Sequence, residues 1–538
     1  MLTAPLTLLL ERDGAGEGIF ARPFTMRPHP THTLLAFPAV LAVSAGACAT
    51  ERGPLTNRMA QTETRYLARA ARQPVSWQPW GRDAFTLAAR LDRPILLYIG
   101  ADDCRWCVVM DREAYADKEL GAMIDSLFVP VRVDRDERPD VARRYEAEVG
   151  VIAGLQGVPL TVVLTPDGAA FFGGTYFTPD DPVTGRGLKQ ILPAVAKSYH
   201  ADRTTVVQRA ALVRQVAENR RNMRGVIHVQ AVDSGVNAVR AALENPAAVT
   251  GFVATQAIGL LLSEYGSRGD TASLRVGRAA LDAMLDSGAV GADGTLDDPP
   301  VTVRAGLARD LALAWVLTAD PRYQTAGRHE TRTLAHQLLE PTDHAVFTDR
   351  EAYAIGSLLE AASAVGDTGA QGSARAALDA LLRQVYASGY GVRHTLVGSV
   401  DGLLQDQLQV AVASLDAYEA TGTARYLEVA KDLSNLMERS YGDPLGGFYD
   451  ATPDAAPIPA LADRTESALD DLLPAANPWA AGFLLRLSDV SGDSRLRRRA
   501  RAALEAVAGA VSGAGPRASG FLMSARQILA PAFAVPAH

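Results

Sequence analysis

Cys104 and Cys107 enclose Arg105 and Trp106, and this spacing lets two sulfurs work in sequence. One thiolate attacks a foreign disulfide, and the second displaces whatever the first has captured. The thiolate is the reactive form. It is favoured at the first turn of a helix, where backbone N–H groups are unpaired and the helix dipole is positive. A free cysteine titrates near about 8.5, whereas CxxC thiols at helix starts fall to roughly 3.5–7. Cys104 is therefore expected to be the nucleophile and Cys107 the resolving thiol. Arg105 would lower the thiol pKa, and Asp102 and Asp103 would oppose it. Three cysteines cannot build a disulfide framework, and the third, Cys48, stands alone near the N-terminus.

Such a pair needs a strand to launch it and a helix to receive it. Pro94–Gly100 is a continuous apolar run suited to a buried parallel strand, and the CxxC that follows opens a helix continuing through Met110 and Glu113. Ala84–Leu91 reads as a helix, Phe128–Val133 as a strand and Asp140–Glu148 as a helix. Gly157–Leu164 reads as a further strand, Thr165–Gly168 as a turn, Phe171–Gly174 as its hairpin partner, and Leu188–Tyr199 as a closing helix. Strand, CxxC at a helix start and a later Val158-Pro159 opening a hairpin make a thioredoxin-like arrangement. In such folds the residue before the matching proline faces the CxxC, so Val158 and Pro159 are the expected substrate-docking pair, with a cis bond between them. Trp77 and Trp80 are expected in the core. The charge-rich stretch Asp134–Arg138 reads first as solvated surface and second as internal ion pairs.

The motifs Asn57-Arg58-Met59-Ala60, Pro74 to Trp80, Cys104 to Met110, Val133 to Asp140, Pro159 to Gly168 and Phe172 to Phe177 follow one another in order. Together they resemble the spermatogenesis-associated-protein-20-like family. That resemblance implies a thioredoxin-like domain joined to a toroid of helical hairpins related in fold to six-hairpin glycosidases. The chain departs from the family pattern Cys-His-Trp-Cys-His-Val-Met, with Arg105 and Val108 at the histidine positions and Val158 where the family tends to carry Trp. A metal site built from thiols and imidazoles would lose half its ligands. Dithiol exchange would survive, and a relic pair without turnover is the alternative.

Beyond residue 200 the apolar spacing turns helical. Short turns recur at Gly269-Asp270, Ala319-Asp320, Gly366-Asp367, Gly422-Thr423 and Gly492-Asp493. Glycine suits the left-handed end of one helix and Asp or Thr the N-cap of the next. One helical hairpin cannot bury its own apolar face, so a repeated set implies a solenoid or closed toroid. The expected fold class is thus multidomain: an α/β thioredoxin-like fold followed by an all-α toroid. Residues 49–76 form a leading segment, 77–199 the first domain and 200–538 the second. Asp450, Asp470 and Asn477 read as turn and cap residues rather than glycosidase carboxylates. His200, His228, His329, His336, His344 and His394 show no metal-ligand spacing. No metal and no cofactor is expected.

At 538 residues, with net charge −8, the chain carries no basic run of the kind that tracks phosphates, so no nucleic-acid partner is expected. Residues 26–48 have the layout of an export signal ending in small-small-small-Cys, with Met26 as a candidate true start and 1–25 as an upstream extension. On that basis Cys48 is the expected lipidation site of an exported, membrane-anchored bacterial lipoprotein, cytoplasmic if the leader is not a signal. The expected partners are an unidentified protein or small-thiol substrate and a redox partner that recycles the pair.

Overall fold

The computed structural model describes residues 55–530, except 222, 288–298, 341–345, 397–399 and 463. The leader with Cys48, the Asp343-His344 pair and Gly291–Gly294 lie outside the described residues. From Leu55 onward the chain forms one compact unit.

Its first part alternates helices and strands in this order: α1 (Arg65–Arg69), β1 (Gln78–Pro79), α2 (Arg82–Leu91), β2 (Ile95–Gly100), α3 (Arg105–Glu113), α4 (Lys118–Leu127), β3 (Val129–Asp134), α5 (Pro139–Ala153), β4 (Leu160–Leu164), β5 (Ala170–Gly174), α6 (Leu188–Ala201) and α7 (Arg203–Arg221). The sheet order is β1-β3-β2-β4-β5. β1, β3 and β2 run parallel, while β4 and β5 are antiparallel additions. β2, the middle strand, is buried at every position, so its apolar side chains cover both faces. One face packs on Met59, Trp77, Tyr115 and Leu192, and the other on Phe85, Val141 and Tyr145. Trp77 and Trp80 bracket β1, Trp77 edge-on to Tyr115 on one face and Trp80 edge-on to Phe85 on the other. α7 packs on α5 and β5, on the thioredoxin-like side of the expected boundary near residue 200.

The second part contains α8 (Val229–Leu243), α9 (Gly251–Arg268), α10 (Thr271–Ser287), α11 (Val301–Thr318), α12 (Pro321–Leu339), α13 (Thr348–Val365), α14 (Thr368–Val385), a short ribbon of β6 (Tyr386–Ala387) and β7 (Gly391–Val392), α15 (Leu404–Thr421), α16 (Ala424–Leu436), α17 (Ala476–Ser491), α18 (Ser494–Val507) and α19 (Ser519–Leu529). The odd-numbered helices α9 to α19 touch in succession, and α19 returns to α9, closing an inner ring. The even-numbered helices α8 to α18 pack outside it. Inner helices are buried nearly all round, as Leu404–Leu415 of α15 illustrates. The five expected turns join inner to outer helices. Gly269, Ala319, Gly366, Gly422 and Gly492 each adopt the left-handed C-cap. Asp320, Asp367 and Asp493 accept N–H groups of the next helix, whereas the Thr423 side chain caps nothing. The ring is thus a toroid of helical hairpins, and the long connections from outer to inner helices lie at its opposite end.

That end meets the thioredoxin-like part through the stretch expected first to be solvated. Asp134 and Asp136 are buried instead. Asp136 accepts from Arg135 at 2.8 Å and from Arg350 at 2.6 Å, and its backbone carbonyl meets His394 Nε2 at 3.0 Å. Arg138 and Arg144 reach the carbonyls of Ala455 and Leu461. The internal ion-pair alternative is the one the fold adopts, because these partners lie more than 200 residues downstream.

Candidate functional site

The CxxC leaves the C-terminal end of β2. Ile99 pairs with Leu160 in the antiparallel register, which brings Val158-Pro159 beside the strand end that launches the cysteines. The Val158–Pro159 bond is cis. Val158 packs against the apolar cluster that contains both cysteines. It also borders a cleft of about 110 Å³ whose far wall is supplied by Gln405 and Leu473 of the helical ring.

Cys104 is the N-cap of α3, and its sulfur accepts the Cys107 N–H at 3.0 Å. That donor is one of the first-turn N–H groups no helix can satisfy internally, so negative charge on this sulfur is supported by the backbone itself. Cys104 is 9% exposed and Cys107 wholly buried, and the two form a disulfide. The residue expected to attack is thus the less buried of the two. Trp106, 55% exposed, leans on Tyr176 with ring centroids 4.9 Å apart and forms an apolar rim beside the pair. The competing charges also sort themselves. Asp102 pairs with Arg69 at 2.5 Å and Asp103 with Arg135 at 2.7 Å, whereas Arg105 makes no ion pair among the described residues. The acids are partly neutralised and the Arg105 cation stands free.

Beneath the disulfide lies a buried polar group whose role the sequence did not reveal. Arg132, wholly buried in β3, makes bidentate bonds of 2.7 and 2.8 Å to Asp111. Its guanidinium lies 4.3 Å from the Tyr66 ring centroid and 5.2 Å from that of Tyr98. An arginine inside the apolar run Val129-Pro130-Val131-Arg132-Val133 was the available signal, since a cation there needs a buried counterion. Asp134 is pushed up to about 7 by burial and by neighbouring Asp136.

At the junction Asp349, His394 and Asp406 bring potential ligand atoms within 4.8 Å of one another. Both His394 nitrogens are engaged, Nδ1 with Asp406 at 2.9 Å and Nε2 with the Asp136 carbonyl at 3.0 Å. Burial opposes the charged imidazole, but Asp406, with Asp349 behind it, pushes its pKa up to about 10. The group is satisfied as a buried ion pair clasping the two parts together, with no ring nitrogen left to ligate a metal. Asp450, Asp470 and Asn477 are also spent on structure. Asp450 accepts from Thr465 and Ser467, Asp470 from the Ala475 and Gly520 N–H groups, and Asn477 exchanges two bonds with the Phe448 backbone.

Fold and site define a thioredoxin-like domain carrying a CxxC pair, joined to a helical-hairpin toroid. Residues 56–217 match a thioredoxin-like DsbH family whose description is a protein of unknown function, DUF255. Human spermatogenesis-associated protein 20 is 34% identical over 210 residues, covering 38% of this chain and 26% of that protein. An uncharacterized protein of Caenorhabditis elegans is 38% identical over 157 residues, covering 29% and 22% respectively. Over this region the chain is similar to spermatogenesis-associated protein 20, and it spans about a quarter of the length of those curated relatives. Among solved structures, an unsaturated glucuronyl hydrolase from Bacillus sp. GL1 aligns with 56% of this chain and 96% of its own at 14% identity and TM-score 0.43.

These findings correct the expected localisation. The curated relatives named above are eukaryotic proteins, not membrane-anchored bacterial lipoproteins. No helix among the described residues is long and apolar enough to cross a membrane. The expectation of a lipid anchor at Cys48 is withdrawn.

Proposed function

We propose that this protein is a thiol–disulfide oxidoreductase acting through Cys104 and Cys107 on a protein or small-thiol substrate. The observation that carries this is Cys104, the less buried of the two at the α3 N-cap, whose sulfur receives a backbone N–H, with Cys107 wholly buried one turn behind. In the reducing direction the Cys104 thiolate attacks a substrate disulfide, a mixed disulfide forms and one substrate thiolate leaves. Cys107 then attacks the Cys104 sulfur, the intramolecular disulfide closes and the second substrate sulfur departs as a thiol. The substrate gains two electrons and the pair loses them, so a second dithiol must regenerate it, and the reverse sequence oxidises a substrate dithiol. Arg105 would favour the Cys104 thiolate, and Val158-Pro159 would pair with an extended substrate backbone. Insulin reduction by dithiothreitol tests this, with acceleration expected for the wild type and none for Cys104→Ser. Equal rates for the two proteins would remove the proposal.

A second reading, ligand binding by the toroid, is favoured by its axial cavity of about 620 Å³. Trp479, Gln256 and Asp310 line it, and burial holds the Asp310 carboxyl well above its ordinary pKa. Its other carboxylates are paired, Glu360 with Arg309 at 2.8 Å, and Asp416 and Glu419 with Arg486 at 2.5 and 2.6 Å. That pairing suits holding a polar ligand better than hydrolysis, which needs a free acid and a free base or nucleophile. Calorimetry of the full chain with neutral disaccharides should give binding that Trp479→Ala abolishes. No heat with any of them, or heat unchanged by the substitution, would dismiss the reading.

A further inference from the structure

The resolving thiol poses a problem that the helix start does not solve. Cys107 is wholly buried, and burial raises a thiol pKa, yet its sulfur must ionise to attack the mixed disulfide. The first-turn N–H that supports the Cys104 sulfur is Cys107's own, so it serves the partner sulfur instead.

Gly100 shows what stands on the inner side of Cys107. A Cβ placed on this residue would lie 2.9 Å from the Cys107 sulfur and 2.8 Å from the Tyr66 ring carbon that bears the hydroxyl. Sulfur and phenol therefore converge on a backbone position that only glycine leaves open. The Tyr66 hydroxyl is buried and has no hydrogen-bond partner among the described residues. A buried, unpaired hydroxyl is costly to leave unsatisfied, so this group is primed for a partner that arrives during turnover. Burial pushes its pKa up, which keeps it protonated and makes it a donor rather than a base. Arg132, bound to Asp111, lies 4.3 Å from the centroid of the same ring and fixes its position.

We propose that Tyr66 is the hydrogen-bond donor to the Cys107 thiolate in the resolving step, held in place by Arg132 and Asp111. This rests on the thiol–disulfide reading. In the step Cys107 loses its proton, its sulfur bonds to that of Cys104, and the bond from Cys104 to the substrate sulfur breaks. The departing substrate thiolate takes up one proton, so the balance is one proton lost and one gained. Tyr66 keeps its own proton and donates a hydrogen bond to the anion while it exists.

The test uses the full chain with Cys48→Ser, reduced and mixed with one equivalent of Ellman's reagent. Cys104 releases the first thionitrobenzoate and Cys107 the second. Tyr66→Phe, which removes one oxygen and keeps the ring over Arg132, should slow the second release about tenfold and leave the first unchanged. If the second release is unaffected, or both releases slow equally, Tyr66 is not the donor. If the wild type never makes the second release, the thiol–disulfide reading itself fails. A further measurement needs no change at Tyr66. In the Cys48→Ser, Cys104→Ser chain, thiolate absorbance should show Cys107 titrating at or below the free-cysteine value of about 8.5 despite its burial. A midpoint well above that value would also overturn the proposal.

Discussion

Arg132 and Asp111 are the most exposed to a decisive perturbation. Asp111→Ala would leave the Arg132 guanidinium with a long 3.4 Å contact to Gln73 Oε1 and the faces of Tyr66, Tyr98 and Trp77. Breaking a buried pair by removing one partner costs about 3–5 kcal/mol, because an uncompensated charge remains behind. Cation–π contact offsets about 1 kcal/mol of this. The Asp111 side chain is 16% exposed, so water can reach the vacated place. The expected loss is therefore about 3 kcal/mol, a more than hundredfold rise in the local opening constant. Hydrogen exchange of the β2 and β3 amides, followed by mass spectrometry, reads this directly. The same reasoning makes the double variant Asp111→Leu, Arg132→Met close to wild type, since apolar groups of similar volume replace a buried pair at little cost. A loss below 1 kcal/mol for Asp111→Ala, or a double variant as unstable as the single one, would refute it.

Gly100→Ala forces a methyl against the Cys107 sulfur and the Tyr66 ring and should destabilise by about 1–3 kcal/mol, measurable as a lower melting temperature of the oxidised protein. His394 holds its proton to about pH 10 in the folded chain against about 6.5 unfolded. Its contribution is therefore complete below about 6.5 and lost as pH rises towards 10, at up to about 1.4 kcal/mol per unit. Melting curves from pH 7 to 10 should fall more steeply for wild type than for His394→Gln, and parallel curves would count against the clasp. Asp320→Ala removes the N-cap of α12 and should cost about 1 kcal/mol by urea titration.

The parts of this architecture that were legible are the local ones. A six-residue apolar strand, a CxxC at a helix start and Gly-Asp turns each declare themselves within a dozen residues, and β2, α3 and the five hairpin turns lie where those signals put them. β1, only Gln78–Pro79, is too short to carry a period, and Lys118–Leu127 lay between two stronger signals. Asp136 could not be read, because its burial depends on Arg350 and His394, whose proximity is a product of the completed fold. Tyr66 was hidden for the same reason: it lies 41 positions before Cys107 and meets it only through the space that Gly100 leaves. The carboxylates and Trp479 around the toroid axis look like ordinary members of apolar helices until six helices from distant segments surround them.

Closure of the inner helices by Ser519–Leu529 has a consequence for synthesis. The seat for α19 is prepared by α9, some 250 residues earlier, so the circle stays open until Ser519–Leu529 has emerged. At about 5–20 residues per second that interval is roughly 10–50 s, during which the apolar flank of α9 that receives α19 has no mate. A ribosome-bound chain stalled before Ser519 should accordingly be a client for chaperones, while the sheet around the cysteines, whose strands all lie within the first two hundred residues, can already have settled.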